Sequence, residues 1–146
     1  MIKPLIKIIL FITILFSTTV TTLAGEKHSM AYMLTVIDGG VPLSESDITV
    51  THFKSLLKQL DATYVENTQQ IGDMTVAIRK VLREKYGVKV SIKSIMEGMN
   101  QIFCSNIENQ KYAEYIAAYA TLRKKGISHK EAINSLRSLV NSLLSS

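Results

Sequence analysis

The sequence contains few cysteine, proline and glycine residues and no tryptophan. Its 146 residues include one cysteine, two prolines, seven glycines and no tryptophan. A single cysteine cannot form an internal disulfide, which excludes the class of small secreted domains that disulfides hold together. Scarce proline and glycine, with 47 % apolar residues, also exclude a collagen-like or low-complexity chain. The fold must therefore be stabilised by the packing of a hydrophobic core.

The short motifs of catalysis, nucleotide binding and metal binding are also missing. There is no G-x-S-x-G, no Walker loop, no G-x-G-x-x-G and no H-E-x-x-H. His28, His52 and His129 are far apart, and we expect all three to be exposed. We therefore predict a protein that is not an enzyme and has no metal or cofactor. The alternative is a hydrolase, which requires His52 or His129 to lie beside an acid and a nucleophile in one cleft.

The N-terminal residues have the pattern of an export signal. Lys3 and Lys7 precede an apolar run at 8–16, and a small-residue stretch ends at Ala24. Residues 1–24 are predicted to be a signal peptide and residues 25–146 a single helical domain, located in the periplasm or outside the cell. The alternative is a membrane-anchored protein. However, the uncharged residues 8–23 would cover only about 24 Å of a roughly 30 Å hydrocarbon core.

Cleavage after Ala24 would change the charge and leave a chain long enough for one core. Two of the 17 basic residues and none of the 12 acidic ones would be lost, so the net charge would fall from +5 to +3. The remaining 122 residues can bury a sizeable hydrophobic core without a disulfide bond.

Apolar residues recur at helical spacing along most of residues 25–146. We predict an all-α fold, a compact bundle of about five helices. Among the predicted helical segments are 66–86, 91–103 and 106–125, and another that begins at the capping box Ser128-x-x-Glu131. Gly87 is expected to end the first of these in a left-handed conformation. The apolar face of segment 66–86 is predicted to consist of Ile71, Met74, Ala77, Ile78, Val81 and Leu82.

A basic cluster occupies residues 79–93, which hold six lysines and arginines and one acid. Its helix–turn–helix outline is similar to that of a DNA-binding motif. The second helix would carry only one base, and export removes the protein from DNA, so no nucleic-acid partner is expected. The cluster is either a solvated basic face or a surface for an acidic protein partner or anionic lipid head groups. Arg79, Arg83, Lys89 and Lys93 are the candidate partner-binding residues.

Three tyrosines share one face of segment 106–125. Tyr112, Tyr115 and Tyr119 follow one another at helical spacing and are flanked by alanines. They form either a buried stripe whose hydroxyls reach the rim or a recognition surface for a protein partner. They are therefore further candidate partner-binding residues.

Cys104 is predicted to lie at the edge of an apolar stripe as a small, half-buried filler. The alternative is a free, exposed thiol that links two copies into a homodimer. Electrophoresis with and without reductant distinguishes a dimer of this kind from a monomer.

Together these features predict a small exported helical protein that acts by protein–protein binding, as an adaptor, an inhibitor or an immunity-type protein. The membrane would then be met only transiently, through the signal peptide. The alternative is a carrier of a lipid or another apolar ligand, held inside the bundle by Met74, Met96, Met99 and the tyrosine helix. A cavity above about 300 Å³ among these residues would favour the carrier, and a filled core would oppose it.

Overall fold

The described part of the chain is all-α, as the sequence predicts. The computed structural model describes residues 27–103 and 107–145. Its helices are α1 (Met30–Ile37), α2 (Ile48–Thr63), α3 (Thr68–Tyr86), α4 (Ile92–Asn100), α5 (Tyr112–Lys124) and α6 (His129–Leu144). The described residues thus form six helices where the sequence suggested about five. The predicted signal peptide and Cys104 lie outside the described residues.

The core is built around α2 and α3. Helix α2 packs against α1, α3 and α4, while α5 packs between α3 and α6. The apolar stripe of α2 is buried along its whole length, from Val50 and Phe53 to Leu60. Because each such side chain contributes about 1.5–3 kcal/mol when it leaves water, this continuous stripe provides much of the stabilisation.

Several helix ends are those that the sequence predicts. Ser128 accepts a hydrogen bond from the amide of Glu131, and the Glu131 side chain accepts one from the amide of Ser128, so the capping box is confirmed. Gly87 has φ +65° and ends α3. Helices α2 and α3 begin after Asp47 and Asn67, whose side chains cap the first turn.

The buried face of α3 is rotated from the predicted one. Ala77 and Val81 are exposed, whereas Gly72 and Thr75 are fully buried beside Ile71. The Thr75 hydroxyl donates a hydrogen bond to Ile71 O at 2.7 Å, which satisfies its polar atom inside the core. Thr75, which the predicted apolar face does not include, can be buried because its hydroxyl has this local partner.

Helix α5 begins six residues later than predicted, at Tyr112 rather than at residue 106. The chain before it is extended: Gln110 N donates to Thr63 O at 3.0 Å, and Val65 N donates to Gln110 O at 2.8 Å. Asn109 has φ +62°, a left-handed conformation that interrupts a helix. This connection is fixed against the end of α2 by contacts that local periodicity does not reveal.

Three helices are capped by carboxylates from distant parts of the chain. Asp38 accepts hydrogen bonds from the first two amides of α4, at 2.6 and 3.2 Å. Glu66 accepts from the amides of Tyr112 and Ala113, at 2.7 and 3.0 Å, at the start of α5. Glu45 accepts from the amide and the hydroxyl of Ser29 at the start of α1. We call Asp38, Glu45 and Glu66 the distant caps.

Helices α4 and α6 meet closely at Gly98. A Cβ atom added at this glycine would lie 2.6 Å from Cδ1 of Ile133, which is only 3 % exposed. The absence of a side chain at Gly98 is therefore what lets the two helices pack at this distance.

Candidate functional site

A cleft of about 730 Å³ opens where the end of α3, the start of α4 and the start of α6 meet. We call it the basic cleft. It is lined by Asp38, Arg79, Arg83, Gly87, Lys89, Val90, Ser91, Ser94 and His129. Three of the four basic residues selected from the sequence therefore lie in one concave site, because the turn at Gly87 places the residues after α3 beside its last turns.

Arg83 and Lys89 supply positive charge that the cleft itself does not neutralise. Both side chains are exposed. Among the described lining residues the only acid is Asp38, and its carboxylate is already bound to the first two amides of α4. The hydroxyls of Ser91 and Ser94, 2.8 Å apart, add hydrogen-bonding groups to the wall. The cleft can therefore accept a carboxylate or another anionic group.

Hydrogen bonds within the domain fix the Arg79 side chain, which is therefore less accessible to a partner than Arg83 or Lys89. Its side chain is 19 % exposed. Nε donates to Val90 O at 3.3 Å, and Nη1 donates to Ile37 O at 3.2 Å. Arg79 thus joins the end of α1 to the segment before α4, and it positions the wall of the basic cleft.

Lys93 lies in a second, neighbouring cleft of about 360 Å³. This apolar cleft is lined by Thr35, Asp38, Gly40, Ile48, Thr49, His52, Phe53 and Lys93. Lys93 Nζ is 3.8 Å from Oε1 of Glu97, which also lies 3.2 Å from His52 Nε2. Asp38 lines both clefts, so the two sites are adjacent, but Lys93 is not part of the basic cleft.

Two of the three candidate tyrosines are buried, which corrects their assignment to a recognition surface. Tyr112 and Tyr119 are 0 % exposed. The Tyr112 hydroxyl lies 2.7 Å from the Thr75 hydroxyl, and burial raises the pKa of Tyr112 well above its usual range. Burial likewise raises the pKa of Tyr119 to about 12. Only Tyr115 is partly exposed, so the buried-stripe alternative describes this helix.

His129 is partly buried, contrary to the expectation that all three histidines are exposed. Its Nδ1 lies 2.8 Å from the Tyr119 hydroxyl. Burial, followed by the charge of Arg123, lowers the pKa of His129. His28 and His52 are exposed. His129 shares the basic cleft with Ser91 and Ser94, but its hydrogen-bonding partner is a tyrosine and not an acid.

The residues proposed to line a lipid cavity are packed in the core. Met96 and Met99 are 0 % exposed, and Met74 is partly buried against the same core. Neither the basic cleft nor the apolar cleft is lined by any of these methionines. A smaller cleft of about 120 Å³ touches Tyr115 at the end of α6. This packing opposes a ligand cavity lined by these methionines.

Large apolar side chains are exposed in and just after the connection between α1 and α2. Val41 and Leu43 are 87 % and 92 % exposed, and Ile48 at the start of α2 is 84 % exposed. We call Val41, Leu43 and Ile48 the apolar tip. In the sequence, the two large apolar residues that flank Pro42 lie outside the apolar stripes of both neighbouring helices. This position could have indicated that they are exposed.

Within residues 27–103 and 107–145, no group of three or more His, Cys, Asp or Glu side chains could hold a metal ion. None of the helices in this part of the chain is both long enough and apolar enough to span a membrane.

Comparison with known proteins places the chain in a family. Neither the curated proteins nor the solved structures include a match. The model of the MoxZ family matches residues 35–140, which run from the last turn of α1 into α6 and include both clefts. Because this match spans more than half of the sequence, the chain belongs to the MoxZ family.

Proposed function

We propose that this protein is exported and acts by binding an acidic protein partner in the basic cleft, without catalysing a reaction. The observation that carries the proposal is the convergence of Arg83 and Lys89 in one concave site whose only described acid is occupied. Clefts lined by one sign of charge concentrate oppositely charged partners and raise association rates. The export part of the proposal rests on the pattern of residues 1–24.

The start of α4 lines this cleft with backbone and hydroxyl groups. The N-terminal end of a helix carries a partial positive charge, although the Asp38 carboxylate offsets it here. The Ser94 hydroxyl, which accepts a hydrogen bond from the Ser91 hydroxyl, can donate its own hydrogen to a partner's carboxylate or backbone carbonyl. An adaptor, an inhibitor or an immunity-type protein could each use such a site. In all three cases the partner would have an acidic surface.

The test is a charge reversal with a matched control. The double variant Arg83→Glu/Lys89→Glu places two acids in the basic cleft. The double variant Lys124→Glu/Lys125→Glu makes the same change in net charge at exposed residues that do not line this cleft. Tagged wild-type protein and both variants are purified from the cell-envelope fraction, and the co-purifying proteins are identified by mass spectrometry.

We expect an acidic protein to co-purify with the wild type and with the Lys124→Glu/Lys125→Glu control, and to be lost with the cleft variant. Binding should weaken as salt is raised, because exposed charges are screened over about 10 Å at 0.1 M. A partner retained equally by all three proteins would contradict the proposed site. A co-purifying lipid without any protein would favour the carrier alternative instead.

A further inference from the structure

We propose that the apolar tip, Val41, Leu43 and Ile48, docks on the surface of a lipid bilayer that contains anionic lipids. This goes beyond the proposed function, because the tip lies outside the basic cleft and the occupant is a membrane instead of a protein. The exposed fractions of 84–92 % mean that almost nothing in the described chain covers these side chains. Exposed apolar patches of this kind mark interaction sites with proteins or membranes.

The loop that carries the tip is held in one conformation by its own contacts. The Tyr32 hydroxyl donates a hydrogen bond to Pro42 O at 3.3 Å, and Pro42 itself is buried. Gly40 N donates to Thr35 O at 2.9 Å. The apolar side chains therefore point outward because the loop is anchored on both sides of Pro42. A surface that is ordered before binding loses less entropy when it binds.

The acids close to the tip are occupied, whereas cations flank it. Glu45 accepts hydrogen bonds from Ser29 and lies 3.0 Å from Lys54 Nζ. Asp47 caps α2 through the amide of Thr49. Lys54 therefore offsets the charge of Glu45, and the partly positive N-terminus of α2 offsets part of the charge of Asp47.

Exposed lysines share a cleft with two of the three tip residues. Lys27 lines the same cleft as Leu43, and Lys93 lines the apolar cleft together with Ile48. Lys27 is exposed, and the Lys93 side chain is 51 % exposed with a long contact of 3.8 Å to Glu97. Apolar side chains between exposed lysines complement a bilayer surface, whose acyl boundary takes the apolar groups while anionic head groups pair with the lysines.

The path of the chain favours a bilayer over a protein groove. The described chain begins at Lys27, which lines the same cleft as Leu43 and comes three residues after Ala24, the end of the segment that is predicted to meet the membrane during export. The chain therefore enters the domain beside the apolar tip. In addition, the three side chains protrude, and a bilayer accepts protruding apolar groups without a matching surface, whereas a protein partner needs a complementary groove.

The experiment is vesicle flotation of the protein purified in the form that the cell produces, with its N-terminus determined by intact mass. The probes are vesicles of phosphatidylcholine mixed with phosphatidylglycerol and vesicles of phosphatidylcholine alone. We expect the wild type to float with the anionic vesicles and less with the neutral ones. Val41→Ser/Leu43→Ser should lower the partition coefficient at least about tenfold, because two exposed apolar side chains no longer enter the bilayer.

Two further variants control for loss of folding and for non-specific hydrophobicity. Leu139→Ser/Leu143→Ser removes two exposed leucines, 56 % and 68 % exposed, from α6 and should float like the wild type. Lys27→Gln/Lys93→Gln should reduce the preference for anionic vesicles. All variants should keep the wild-type melting temperature, because the altered side chains are exposed or partly exposed.

Three results would overturn the proposal. The first is a wild-type protein that floats with neither vesicle. The second is a Val41→Ser/Leu43→Ser variant that floats as well as the wild type. The third is self-association without vesicles that the same variant abolishes, since the occupant would then be a second copy of the chain. Loss of flotation while the acidic partner is still retained would separate this inference from the proposed function.

Discussion

The hydrogen bond between Thr75 and Tyr112 allows a sharp test of the buried tyrosine stripe. Both side chains are 0 % exposed, and their hydroxyl oxygens are 2.7 Å apart. The Thr75 hydroxyl has a single hydrogen, which it donates to Ile71 O, so the Tyr112 hydroxyl is the donor to Thr75. The two side chains can be changed to the nearly isosteric valine and phenylalanine, which remove the hydroxyls and little else.

The two single variants should lower the free energy of unfolding by different amounts. In Thr75→Val, the Tyr112 hydroxyl stays buried without a partner, and the free energy of unfolding should fall by about 1–3 kcal/mol. In Tyr112→Phe, the Thr75 hydroxyl keeps its bond to Ile71, so the loss should be about 0.5–1.5 kcal/mol. The double variant leaves no unpaired group, and its cost should be smaller than the sum of the two single costs by about 1 kcal/mol.

Urea unfolding followed by circular dichroism measures these differences, and thermal unfolding should show a shift of roughly 4 °C per kcal/mol. Tyr119→Phe is a useful comparison, because its hydroxyl contacts the partly exposed His129 and water can replace the lost group. If the double variant loses as much free energy of unfolding as the two single variants together, the reasoning is refuted, since the two hydroxyls are then not paired. Near-zero costs for both single variants would mean that Tyr112 is not buried.

Three other predictions follow from the same structure. Glu66→Ala should lower the free energy of unfolding by about 1–2 kcal/mol in urea titration because α5 loses its cap, whereas Glu108→Ala, at an exposed glutamate in the connection before α5, should be neutral. Gly98→Ala should cost about 1–3 kcal/mol through a clash with Ile133, and adding Ile133→Val should restore part of the melting temperature. Hydrogen bonds from Ser29 lower the pKa of Glu45 from 4.5 to about 2, so its contribution to stability is complete above pH 4.5 and is lost as the pH falls towards 2. Acid titration of melting temperature should therefore be flatter in Glu45→Gln.

Local pattern in the sequence was enough to place most helices and their ends. The end of α3 at Gly87 and the capping box at Ser128 were identified correctly because the conformational freedom of glycine and capping chemistry are local properties. The face of α3 was placed incorrectly at Ala77 and Val81. Thr75 is buried against Tyr112, which is 37 residues away, and no local pattern contains that contact.

The candidate site was only partly predictable for the same reason. Arg83 and Lys89 were selected from charge density, and the glycine turn between them made their proximity foreseeable. His129 comes to the basic cleft only through the packing of α6 against α4. The burial of Tyr112 and Tyr119 depends on which face of α5 meets α3. Such choices between two apolar faces are decided by tertiary packing, not by the composition of the helix.

The distant caps link local structure to the order of folding. Helices α1, α4 and α5 each receive part of their N-terminal hydrogen bonding from a carboxylate outside the helix: Glu45, Asp38 and Glu66. Short helices are marginal in isolation, so these three would fray in an incomplete chain and become stable only when the domain assembles. Unfolding should then be cooperative, with few partly folded states. If the chain is exported unfolded, the same arrangement would delay stable structure until translocation is complete.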